Sequence, residues 1–171
     1  MAVQTVLVTG SAARQGGVRR VIRASTGQIF RGRRGSFPVR PETPASPCSW
    51  YATTKVLAEA VAHGYAHGLE VFVICCRWCP GSPEQVRELE RSPYGRASYL
   101  SPGDAGRCFA AAVEIHRVPR FTVVHATSLP VGPPRYDLGP ARELLGYEPR
   151  DRWPEGLDLA TGGGVMQGTP P

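Results

Sequence analysis

Of the 20 basic residues in this chain of 171, one is lysine, Lys55, and all the others are arginine. No apolar run approaches the roughly 18 residues of a helical membrane span. The first residues carry no basic segment ahead of an apolar stretch, so no secretion signal is read and a cytoplasmic location is expected. Five cysteines, Cys48, Cys75, Cys76, Cys79 and Cys108, make an odd count. Without a secretion signal, that count argues against a disulfide framework. Cys76-Arg-Trp-Cys79 has the spacing of a redox or zinc pair. No second pair completes a four-ligand site, and no metal is expected.

The composition that remains is 42% apolar and 20% charged, suited to one globular domain with a buried core. Net charge is +6, which admits an anionic partner: a dinucleotide, a sugar acid or a nucleic acid. Arginine in place of lysine, with abundant Ala, Gly and Pro, is also what GC-rich coding produces. In a chain drained of lysine, the position that keeps one draws notice.

Residues 3–9, VQTVLVT, read as a buried strand ending at Gly10. Residues 18–25, VRRVIRAS, read as a second strand, and 31–48 as a loop rich in Arg, Gly and Pro. Ser49 is a plausible helix cap, and Val56, Leu57, Ala60, Val61 and Tyr65 follow with helical spacing up to His67-Gly68. Residues 69–76, LEVFVICC, form a strand apolar enough for burial on both faces, the habit of a parallel sheet covered by helices. Residues 80–100 read as irregular. Ser101-Pro-Gly-Asp104 opens a helix to about His116, followed by strand 121–126 and a short helix at 139–145. The alternation makes the class α/β.

Tyr51 and Lys55 lie four apart on the first helix and share a face. A free tyrosine hydroxyl titrates near about 10, too high for a base at neutral pH, and a neighbouring ammonium favours its ionised form. Such a pair makes a general acid/base. Lysine suits the task better than arginine because its charge is compact. The same spacing also arises on solvated helix surfaces, so the pair alone leaves both readings open. Ser25 and Thr26 add two hydroxyls at the C-terminal end of a strand, where ligands bind in open α/β sheets.

RRVIRASTGQIF, RPETPASPCSWYATTKVLAEA and LEVFVICCRW together resemble the catalytic half of the extended short-chain dehydrogenase/reductases, the NAD-dependent epimerase/dehydratase group. YLSPGDAGRCFAAAVE, FTVVHATS and YDLGPARELLGYEPRD resemble its uronate dehydrogenase branch most closely. The resemblance implies a truncated Rossmann-like parallel sheet with flanking helices over residues 1–158, followed by a Gly/Pro-rich tail at 159–171. It implies Tyr51 as the acid/base, Lys55 as the residue that tunes Tyr51 and holds the nicotinamide ribose, and Thr26 with Ser25 beside the reacting oxygen. Arg77 and Cys79 would line the nicotinamide end. The cofactor would be NAD(P), and the substrate a sugar or sugar acid.

Two departures qualify the match. Read as the family's glycine turn, VLVTGSAARQGG supplies Gly10, Ala13 and Gly16, so alanine replaces the middle glycine. Thr26 follows Gly10 by only 16 positions, whereas one strand-helix-strand unit takes about 30. The chain resembles a family member with an internal deletion, joined at about Ser11 to Arg14, that lacks the adenosine-binding half. Two functions stay open: a sugar oxidoreductase or epimerase, impaired by that loss, and a non-catalytic remnant that associates with itself or with a full-length relative. Apolar surface freed by missing helices favours self-association. Arg31-Gly-Arg33-Arg34-Gly35 could track phosphates, but only Phe30 and Phe37 stand beside it for stacking, so nucleic acid is not an expected partner. Neither is a membrane.

Overall fold

A computed structural model describes residues 18–35 and 37–157. The expected strand at 3–9, the glycine turn with Gly10, Ala13 and Gly16, and the tail at 159–171 lie outside them. Within them run β1 (Arg20–Thr26), α1 (Trp50–Tyr65), β2 (Glu70–Cys76), α2 (Pro83–Arg91), α3 (Pro102–Glu114), β3 (Phe121–Ala126) and α4 (Gly139–Leu145). The three strands form one parallel sheet in the order β1-β2-β3. Its register sets Ser25 beside Cys75 beside His125, and Thr26 beside Cys76 beside Ala126.

Side chains alternate across a strand, so each strand serves two cores. Ile22, Phe72, Ile74, Val124 and Ala126 pack on one face against Cys108 and Ala112 of α3 and Ala141 of α4. Val71 and Val73 pack on the other face, with Ala66, Leu69 and Ala62 at the end of α1. The result is the three-layer, truncated Rossmann-like architecture that the sequence implied. Among the described residues no helix is long and apolar enough to cross a membrane.

Local chemistry explains the helix starts. Ser49, Ser82 and Ser101 each accept a hydrogen bond from a backbone N–H of the first turn, those of Ala52, Gln85 and Asp104. Two expectations need correction. Residues 80–100 are not irregular throughout: α2 fills the centre, with Pro83 at its first turn and Glu84 and Arg91 matched to its dipole. Periodicity missed it because Leu89 is its only buried residue. The apolar stripe of α1 does not all face the sheet. Val56 does, while Leu57, Val61 and Tyr65 are exposed and the small Ala52 is the buried contact.

Two buried charges lock the layers. Arg20 is 1% exposed; its guanidinium pairs with Glu70 and donates to the carbonyls of Ala112 and Ile115 at the end of α3, the negative pole of that helix. Asp104 is fully buried. It accepts from Ser128 Oγ at 2.6 Å, Arg107 Nη2 at 2.6 Å, Arg150 N at 2.9 Å and Asp151 N at 3.1 Å. Burial alone would raise its pKa, but these donors outweigh it and hold the carboxyl below its ordinary range.

Asp104→Ala is expected to cost ~3 kcal/mol, because it strands buried donors as well as removing a charge. Urea denaturation checks this. The folded pKa lies below the unfolded one, so the unfolded chain takes up the proton first as pH falls. The Asp104 contribution should be intact above about pH 4 and lost below it.

Candidate active site

The sheet's C-terminal edge opens into a cleft of about 1030 Å³, lined among others by Thr26, Gly27, Tyr51, Arg77 and Cys79. Four of the residues singled out from sequence therefore meet at one place. Tyr51 stands on the first turn of α1, half exposed, and the Lys55 ammonium lies 5.5 Å from its ring centroid. Thr26 ends β1 and caps the 3-10 turn Gly27–Phe30, accepting from Gln28 N at 3.2 Å.

Ser25 has a different setting. Alternation turns it away from Thr26, and its hydroxyl donates to Glu59 of α1, with the Cys75 thiol 3.8 Å from the same carboxylate. Ser25 thus ties strand to helix rather than lining the cleft. Arg77 is held by stacking, its guanidinium carbon 4.1 Å from the Tyr136 ring centroid. It lies against Gly27, where a Cβ would collide with the guanidinium. A larger residue there would push the Arg77 side chain away from its place on the Tyr136 ring.

The cysteines are free thiols. Burial pushes Cys76 up to about 11 and Cys108 up to about 12, so neither offers a thiolate at neutral pH. Among the described residues no three His, Cys, Asp or Glu side chains gather to hold a metal.

Sequence reading missed the cleft's second wall. Val39 and Tyr136 form an isolated parallel bridge, with Val39 N donating to Arg135 O and Asp137 N to Val39 O, both at 2.8 Å. This brings the 130–138 loop beside the Arg-rich loop and delivers Arg135 and Tyr136 to the cleft. His125 supports that wall from below, edge-on to Phe30 at 5.7 Å and to Tyr136 at 5.2 Å. Burial, with the Arg77 charge adding to it, pushes His125 down to about 4, so it is neutral at pH 7.

That shift generates a pH dependence. The folded pKa is below the ordinary value near about 6.5, so the unfolded chain protonates first, and stability should fall by up to about 3 kcal/mol between pH 6.5 and 4. Denaturant midpoints measured across that window should decline, and His125→Phe should flatten the decline.

No family model matches the chain. The L-arabinose 1-dehydrogenase (NAD(P)(+)) of Haloferax volcanii is 30% identical over 153 residues, covering 78% of this chain and 59% of that protein. Among solved structures, a mutated uronate dehydrogenase is 26% identical with a TM-score of 0.66, covering 91% of this chain and 54% of its own. The glucuronic acid dehydrogenase of Chromohalobacter salexigens is 25% identical with a TM-score of 0.66, covering 91% and 56%. The chain thus spans little more than half the length of these relatives. Sequence motifs, parallel sheet and relatives agree: the chain belongs to the extended short-chain dehydrogenase/reductase family, in its uronate dehydrogenase-like part.

Proposed function

We propose that the chain is the substrate-side half of an NAD(P)-dependent oxidoreductase for a sugar or sugar acid, with Tyr51 as its acid/base. One observation carries this reading. Tyr51 and Thr26 line one cleft at the C-terminal edge of the sheet, and the only lysine of the chain stands over the Tyr51 ring. The Haloferax relative has NAD(P)(+) in its name. The residues here fit one end of such a cofactor. Tyr51 offers a hydroxyl for the ribose with the Lys55 cation beside its ring, and Arg77 and Cys79 line the same cleft for the nicotinamide end. The residues read as the pyrophosphate turn, Gly10, Ala13 and Gly16, lie outside the described part.

Bound NAD(P) supplies the hydride-accepting chemistry. The chain's own residues handle the proton. Tyr51 is the group that exchanges the proton of the substrate hydroxyl. The Lys55 ammonium stands beside its ring as a compact positive charge that favours negative charge developing on the reacting oxygens. The Thr26 hydroxyl accepts from Gln28 N and so keeps its own proton to donate to the reacting oxygen. Ser25, bound to Glu59, ties together the two elements that carry Tyr51 and Thr26.

A second reading is a non-catalytic subunit that associates with itself or with a full-length relative. The outward face of α1 favours it: Trp50 is 87% exposed, and Leu57 and Val61 are each 61% exposed. Association through that face is compatible with either function.

Calorimetric titration with NAD should give micromolar binding (about −8 kcal/mol). NADH production from uronic acids or aldoses should fall by about 10²-fold or more in Tyr51→Phe. Turnover no higher than that of the variant ends the catalytic reading. A folded protein that binds no NAD and elutes as a dimer or larger by light scattering supports the second.

A further inference from the structure

Thr26 takes its place from the 3-10 turn Gly27–Phe30, which it caps. Its hydroxyl accepts from Gln28 N, so the turn decides where that hydroxyl aims. The turn itself is gripped at both ends. At its start, Gly27 lies under the Arg77 guanidinium, close enough that a Cβ would collide with Nη1. At its end, Phe30 meets the His125 ring edge-on, with centroids 5.7 Å apart.

Two further contacts join these grips. His125 meets Tyr136 edge-on at 5.2 Å, and Arg77 stacks on Tyr136 with its guanidinium carbon 4.1 Å from the ring centroid. Gly27, Arg77, Tyr136, His125 and Phe30 therefore form a closed circuit, and the backbone of the turn is its last link. The loop that supplies Tyr136 is fastened beside it by Arg135, whose guanidinium carbon lies 3.3 Å from the Phe37 centroid and 3.5 Å from the Tyr94 centroid.

His125 is the member of this circuit whose chemistry nothing else uses. It is fully buried, and it is not among the residues that line the cleft. Neither ring nitrogen has a hydrogen-bond partner among the described residues. A neutral imidazole still carries one N–H, so a buried donor goes unpaired, a cost that phenylalanine in the same slot would avoid. What histidine adds is a charge that depends on pH.

The groups facing the ring decide that charge. Burial and the Arg77 guanidinium disfavour it, while the Val39 backbone and Asp137 favour it. Cys75, its register neighbour on β2, and Tyr136 are both held protonated by burial. α1 brings Val56 to this cluster and the turn brings Ile29 and Phe30, none of them charged. The balance leaves the ring neutral at pH 7. A proton gained there would set a second cation beside Arg77 where water does not screen it. The circuit would then contain two like charges across one tyrosine ring.

We propose that His125 is a positioning residue: as a neutral ring it closes the clamp that fixes the 3-10 turn and aims the Thr26 hydroxyl into the cleft, and as a charged ring it releases that turn. For what Thr26 does there, the inference rests on the reading of the cleft as a substrate site. The coupling of His125 to Thr26 does not.

The test is methyl NMR of the whole chain labelled at threonine and isoleucine. The Thr26 signal is the one missing in Thr26→Ser, and the Ile29 signal the one missing in Ile29→Val. Ile22 and Ile74 pack on the other face of the sheet and report the fold as a whole. As the pH is lowered from 7 through about 4, the Thr26 and Ile29 signals of the wild-type chain should shift together while those of Ile22 and Ile74 keep their native positions. At pH 7, His125→Gln removes the ring and should shift the same two signals. His125→Phe restores a ring without a charge; it should return them and abolish the acid shift. Should a variant fail to fold, the wild-type titration still decides. Thr26 and Ile29 signals that stay put until Ile22 and Ile74 lose their native positions would overturn the proposal. So would an acid shift that persists in His125→Phe, or an unmoved Thr26 signal in folded His125→Gln. A chain that binds no NAD ends the reading of the cleft and leaves the methyl result standing.

Discussion

Asp104 brings a full negative charge into the interior, and the site-bearing half of the fold is arranged around keeping it satisfied. Its four donors come from three segments: α3 itself, the loop after β3, and two successive residues beyond α4. Remove any of these segments and a buried carboxylate loses a partner in a medium where water cannot replace it. The carboxylate thus makes the C-terminal third of the chain cohere with the sheet. Through the loop after β3 it holds the 127–138 stretch, whose far end delivers Arg135 and Tyr136 to the cleft. Arg20 does the same at the opposite edge, clamping the start of β1 to the end of α3. The sheet is short, so these polar locks carry work that a wider sheet would share among more apolar layers.

The cleft follows from how a parallel sheet ends. All three strands point the same way, so their C-termini converge on one edge and the loops that leave it must diverge. α1 returns over one face and α3 over the other, and the crevice lies where β1 and β2 release their chains to opposite sides. Tyr51 reaches the crevice because it stands on the first turn of α1. Thr26 reaches it because it is the last residue of β1. The hydrogen bond from Ser25 to Glu59 ties the two elements that carry them together.

Much of this was legible in the sequence. The spacing of Tyr51 and Lys55, the Ser49 and Ser101 caps and the doubly buried run at 70–76 each follow from short-range chemistry, and the parallel sheet follows from them. Ser25 and Thr26 looked equivalent as neighbouring hydroxyls. Only the pleat separates them, sending one to the helix and the other to the crevice. α2 was hidden because it is charged nearly all round, although Ser82-Pro83-Glu84 announces its start as clearly as Ser101-Pro102 announces that of α3. The second wall of the cleft was out of reach for a different reason. Nothing near Arg135 states that it will sit between Phe37 and Tyr94. That depends on a bridge from Val39 to Tyr136, between parts of the chain remote in sequence.

The sandwich at Arg135 has a mechanical side. Phe37 belongs to the loop after β1 and Tyr94 to the loop after α2, and the cation between them belongs to a third segment, after β3. One side chain thus fastens three segments, the first and third of which are also joined by the backbone bridge at Val39 and Tyr136. The rim of the crevice should therefore move as one piece, because displacing any of the three segments pulls on the same stacked guanidinium.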